Sequence, residues 1–254
     1  MLELPVHIAA AHVDQPALRY AWDEWDVHRC YRPADAALQQ RLHGLTRRAT
    51  LGYMLACGEW VAWRLAGLHD RDEPMEVLEA GWAAIVDRLY TFGFETDDDE
   101  WRGPVLGPLN IMMTIIVDAL HSNDHREDPA VPAAWMSRLA EHVLPDTRAF
   151  RRWQESCLVR LHRVCQAPPP SAQDLFDHDA RDGDPVPREL YDPNRPYDPG
   201  QATQLIARFL EPLEDSDNYF LGTPEEMLDA GFVGVPYRWP PVAARPPRTA
   251  RKRG

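Results

Sequence analysis

The feature that most constrains this chain is the stretch LGYMLACGEWVAWRLAGL, residues 51–68, which carries only two charges, Glu59 and Arg64. Laid on a helical wheel it is apolar on nearly every side. A helix of that kind belongs either in a membrane or at the centre of a helical bundle. A span needs about twenty apolar residues and tolerates a carboxylate in its middle poorly. No other segment reads as long and clean enough to join it, so no membrane is expected. The reading is a buried central helix in an all-α protein. Glu59 and Arg64 lie five residues apart, about 140° around the axis, and cannot pair with each other. Each needs a partner elsewhere, with Arg47, Arg88 or the neighbourhood of Asp118 as candidates. Glu59, Arg64 and Asp118 are therefore expected as buried polar groups that set helix register. The alternative makes Glu59 a catalytic acid or base with a shifted pKa.

The flanking sequence supplies helices to surround it. ADAALQQRLHGLTRRA is amphipathic and runs into the central stretch, with a kink expected near Gly52. EPMEVLEAGWAAIVDRLY begins with Pro74 in its first turn and forms a stripe of Leu78, Trp82, Ile85, Val86 and Leu89. GPLNIMMTIIVDALHS is expected to restart a helix at Pro108, with Asn110, Thr114 and Asp118 as a narrow polar line. Pro132 and Pro145 mark two further starts. The second begins a helix that buries Phe150, Trp153, Cys157, Leu161 and Val164, with its arginines turned outward or toward acidic neighbours. These predict six or seven helices in one bundle domain, residues 1–166.

After Gln166 the texture changes to APPPSAQDLFDHDARDGDPVPRELYDPNRPYDPG, too rich in Pro and Asp for a long regular element. Residues 167–240 are expected to pack on the bundle through short helices rather than form their own domain. TPEEMLDAGF has the start and stop of a helix, with Thr223 as N-cap, Glu226 returning to it and Gly231 past the end. VPYRWPPV reads as extended. Residues 241–254 are a basic tail, read as disordered.

Net charge is −13, and removing the five cations of that tail leaves −18 on the rest. A body this negative repels nucleic acid and attracts basic proteins. The opening MLELPVHIAAAHVDQ lacks a basic start, and the four cysteines show no CxxC spacing. Both point to a reduced, cytoplasmic protein.

Motifs for catalysis are scarce: there is no GxGxxG after a strand, no GxxxxGK[ST], no GxSxG and no HExxH. No cofactor is expected and no catalytic residue is assigned. DALHSNDH places Asp118, His121 and His125 at helical spacing, a partial metal pattern without the Glu of a zinc helix. DHDARDGDP departs from a calcium loop at three positions. The remaining signal is acidic surface beside aromatic residues. Asp97, Asp98, Asp99, Glu100 and Trp101, with Asp182 and Asp184 in reserve, form the expected contact with a basic partner, charge steering encounter and the aromatic ring anchoring it. A helical, metal-dependent enzyme and an accessory subunit of a larger assembly are the alternatives.

LACGEWVAWRLAGL followed by EPMEVLEAGWAAIVDRLY, residues 55–90, resembles helical bacterial proteins encoded near type VI secretion and polymorphic-toxin genes, immunity proteins among them. That resemblance implies a non-catalytic inhibitor that binds a cognate toxin. A basic toxin such as a nuclease would suit the acidic body.

Overall fold

A computed structural model describes residues 2–33, 35–92, 100–121, 128–169 and 179–240, with the backbone alone at 179 and 180. Within them the helices are α1 (Val6–Ala9), α2 (His28–Tyr31), α3 (Ala36–Leu42), α4 (Arg47–Leu65), α5 (Glu73–Ala84), α6 (Gly103–His121), α7 (Ala130–Val143), α8 (Arg148–Val164), α9 (Asp179–Asp182), α10 (Ala202–Leu210) and α11 (Pro224–Asp229). Among the described residues no strand forms, and β pairing is limited to single bridges, Leu45 with Gln166 and Thr91 with Leu221. The protein is all-α.

The central helix is α4. From Ala49 to Leu65 every residue except Trp63 is buried, with α5, α6 and α7 packed around it. Side chains such as Tyr53, Leu55, Trp60 and Leu65 lose essentially all contact with solvent. Each large apolar side chain so placed contributes roughly 1.5–3 kcal/mol. By length and composition, however, α6 rather than α4 is the one helix among the described residues that could cross a membrane, with a mean hydropathy of 1.5.

The starts of α4 and α6 differ from those read in the sequence. The break before α4 falls at residues 43–46, not at Gly52, because the Thr46 amide donates to Cys165 O at 3.0 Å and ties the turn to the end of α8. Gly52 instead sits inside α4 where a Cβ would lie 2.2 Å from the Tyr191 hydroxyl. Its missing side chain makes room for that ring.

Helix α6 starts at Gly103 and continues through Pro108. Proline withholds the amide that the Pro104 carbonyl would accept, and the Tyr20 hydroxyl donates to that carbonyl in its place. The polar line on α6 also splits. Asn110 is buried whereas Thr114 and Asp118 are exposed, since steps of four residues drift about 40° each around a helix. Asp118 is thus a surface residue, not the buried polar group expected.

Helix α8 buries Phe150, Trp153, Cys157 and Leu161. Its Arg160 turns toward backbone rather than acidic side chains: the guanidinium donates to the carbonyls of Leu190, Asp192, Pro193 and Arg195. That one side chain pins residues 190–195 against the bundle, and Leu190 and Tyr191 join the main core. A smaller core unites Ala83, Val86 and Tyr90 with Ile206, Leu210, Met227, Phe232 and Tyr237. The capping box of Thr223 and Glu226 is formed, and Gly231 takes φ +93° after α11. Within VPYRWPPV the chain turns instead of extending: Tyr237 adopts φ +59° and donates its hydroxyl to Gly222 O at 2.5 Å. All four cysteines are free.

Candidate functional site: a charged cleft at Glu59 and Arg188

The N-terminal segment, α4, α5, the 188–195 segment and α10 converge on a cleft of about 550 Å³. Such a volume is typical of sites for small ligands or single side chains. Its floor is Glu59, the carboxylate of the near-chargeless helix. Arg188 donates from Nε to Oε1 at 2.6 Å and from Nη2 to Oε2 at 2.7 Å, a side-on bidentate pair. The Trp82 indole donates to the same Oε1 at 2.7 Å. Nη2 of Arg188 also reaches Glu3 O at 2.7 Å, which holds the N-terminal segment over the pair. Arg188 keeps its charge here: burial works against it, and the carboxylates of Glu59, Glu189 and Glu3 outweigh that and raise its pKa.

None of the partners read from the sequence is used. Arg47, Arg88 and Asp118 do not hold Glu59; an arginine from the Pro/Asp-rich segment does. Arg64, from the same helix, makes its hydrogen bonds to backbone carbonyls and forms no ion pair among the described residues. It donates to the carbonyls of Val143 at 3.2 Å, Gln15 at 2.6 Å and Ala17 at 2.9 Å. Its job is to fasten residues 15–17 to the bundle. Glu59 therefore faces the cleft, but its oxygens are committed to three donors within the protein.

The walls add Glu79, buried and accepting from Asn218 Nδ2 at 3.1 Å, and His7. The imidazole of His7 stacks on Trp153, centroids 5.8 Å apart, and leans on Trp60. Its Nδ1 stands 3.5 Å from Asp192 Oδ1 and has no hydrogen-bond partner among the described residues. Burial lowers the His7 pKa below its ordinary value, against the opposing pull of Asp192 and Glu59. The ring is therefore neutral at pH 7. Five carboxylates line the cleft (Glu3, Glu59, Glu79, Glu189, Asp192) against three guanidinium groups (Arg188, Arg195, Arg208), an excess of two negative charges. Apolar surface from Leu4, Val6, Leu205, Phe209 and Leu213 completes it. The arrangement suits a ligand with a cationic end and an apolar stem.

The surface residues singled out in the sequence are placed elsewhere. Asp97, Asp98 and Asp99 lie outside the described residues. Glu100 pairs with Arg71 at 3.0 Å, and the same guanidinium lies 5.4 Å above the ring of Trp101. Trp101 is buried, with 6% of its surface exposed, and so is a core residue rather than a docking anchor. Asp182 is half-buried and Asp184 exposed, flanking Gly183, whose carbonyl accepts from Arg48. His121 is half-buried and its pKa is lowered, first by burial and then by Arg88; His125 lies outside the described residues. Among the described residues no three His, Cys, Asp or Glu side chains gather as a metal site.

His7 and Arg188 were not singled out in the sequence. A buried Glu59 demanded a cation, and Arg188 stands between Val186 and Leu190, both apolar and both buried. That flanking was the available signal. For His7 there was none beyond a histidine in a short apolar run.

Fold and site define an all-α protein with an electronegative cleft closed by a C-terminal segment. No protein-family model, curated protein or solved structure matches the chain.

Proposed function

We propose that this is a non-catalytic protein that binds a basic partner protein, and that the cleft at Glu59 and Arg188 receives an arginine or lysine side chain of that partner. The observation that carries the reading is the charge balance of the lining: five carboxylates against three guanidinium groups in a cleft with apolar walls, in a chain of net charge −13. A cationic head would meet the carboxylates while its methylene stem lies along Phe209 and Leu213, the usual way long basic side chains are accommodated. Negative charge elsewhere in the chain, including Asp97, Asp98, Asp99, Glu100, Asp182 and Asp184, would speed encounter with a basic protein. The likeness of residues 55–90 to immunity proteins supports a toxin as that partner, with inhibition as the outcome.

Calorimetric titration with a short peptide carrying one arginine, against the same peptide carrying citrulline, tests this. Citrulline keeps the shape and removes the charge. Saturable binding of the arginine peptide, at least tenfold tighter than the citrulline form and weakened by Glu189→Gln, is expected. Equal binding of the two, or none, overturns the reading of the cleft.

A further inference from the structure

The basic segment RPPRTARKRG, residues 245–254, has five cations and no acidic side chain. It lies outside the described residues, but the chain that leads into it is held beside the cleft. Tyr237 is buried in the smaller core with Ile206, Leu210 and Leu213, and both Trp239 and Phe209 pack against that cluster. Phe209 and Leu213 are also walls of the cleft at Glu59 and Arg188. Arg238 pairs with Glu214 at 2.6 Å, next in sequence to Leu213. The chain is therefore anchored as far as Trp239 on the α10 side of the cleft, and 14 residues follow Pro240. At roughly 3.5 Å per residue they can extend about 50 Å. That is ample to enter a cleft of about 550 Å³ whose wall begins at Phe209.

We infer that residues 245–254 dock in the cleft of their own chain and there compete with the basic side chain of a partner. The inference rests on the reading of the cleft as a site for such side chains. Five carboxylates against three guanidinium groups line it, and the tail brings cationic heads on the methylene stems that apolar walls accommodate. Tethering adds to this complementarity. A segment joined to its site by a short linker acts at an effective concentration in the millimolar range. Docking with a dissociation constant below that value fills the cleft in most molecules, and the apparent affinity for any other basic ligand falls by the fraction still open. The tail thus screens the cleft against weak basic ligands, and a tighter partner displaces it.

A full-length variant carrying Arg245→Gln, Arg248→Gln, Arg251→Gln, Lys252→Gln and Arg253→Gln keeps the tail's length and removes its charge. A synthetic peptide of residues 245–254 is the probe, titrated calorimetrically at low salt into this variant and into the parent chain. The variant is expected to bind one equivalent at least threefold more tightly than the parent, and Glu189→Gln added to the variant weakens that binding. Equal affinity of parent and variant, or no binding to the variant, overturns the proposal. So does self-association of the parent that the variant lacks, measured by sedimentation, since it would put the tail in the cleft of a second copy. The single-arginine and citrulline peptides, titrated into the same variant, separate the two inferences. Discrimination between them, with equal affinity of parent and variant for the tail peptide, removes the tail's role alone. No discrimination removes the reading of the cleft and the tail's role with it.

Discussion

Arg188 reaches across 129 residues of sequence to clasp both carboxylate oxygens of Glu59. That pair joins the most buried helix of the bundle to the segment richest in proline and aspartate. It also sets the floor of the cleft, so one interaction serves both fold and site. A buried ion pair of good geometry adds little net stability over an apolar pair, yet losing one partner strands the other.

Removing Arg188 alone should therefore be costly. Arg188→Met is expected to lower unfolding free energy by about 3 kcal/mol, while the double variant Glu59→Gln with Arg188→Met recovers more than half of that. Urea denaturation of the two single variants and the double variant measures the coupling. Costs that simply add would show that the pair does not act as a unit.

Gly52→Ala should destabilise, against the ordinary benefit of alanine in a helix, which is about 1 kcal/mol. The new methyl would sit 2.2 Å from the Tyr191 hydroxyl and 2.5 Å from its ring carbon. Tyr191 must withdraw and surrender its 3.0 Å bond to Ala49 O. A loss of about 2 kcal/mol is expected from such overpacking, seen as a lower denaturation midpoint.

Arg64→Met keeps the stem and deletes the guanidinium. Three carbonyls, those of Gln15, Ala17 and Val143, then lose their donor. The variant is expected to lose about 3 kcal/mol and to be cleaved between residues 13 and 20 under limited proteolysis that spares the parent chain. Unchanged cleavage there would show that residues 15–17 are fastened by something else.

Stability should fall as pH drops below 6.5. His7, His69, His121 and His142 all have pKa values lowered, with burial the leading cause in each. The unfolded chain then binds more protons than the native one in the window between 6.5 and those lowered values, and stability rises with pH wherever that holds. Above pH 7.5 both states are neutral at these rings and the dependence vanishes. A urea midpoint lower at pH 5.5 than at 7.5 is expected, with the difference reduced in His7→Gln.

The sequence made the central helix legible because a near-chargeless run surrounded by amphipathic helices has few places to go. Capping at Thr223 and Glu226 was equally legible, since local hydrogen bonds three residues apart decide it. The partner of Glu59 was not. Pairing across 129 residues depends on how the Pro/Asp-rich segment returns, and spacing carries no trace of that path. Trp101 misled for a related reason: an aromatic beside DDDE looks exposed until Arg71 closes over it. Pro108 misled as well, because Tyr20 satisfies the carbonyl that a proline ordinarily leaves open.

The central claim is that the cleft at Glu59 and Arg188 receives a basic side chain. A crystal structure of the chain with the arginine peptide bound is its most direct test. The account predicts the guanidinium inside the cleft, beside Glu79 or Glu189, with its stem against Phe209 and the Glu59–Arg188 pair intact. A peptide bound on the outer acidic surface with the cleft unoccupied, or an Arg188 displaced from Glu59 to admit it, would contradict the account.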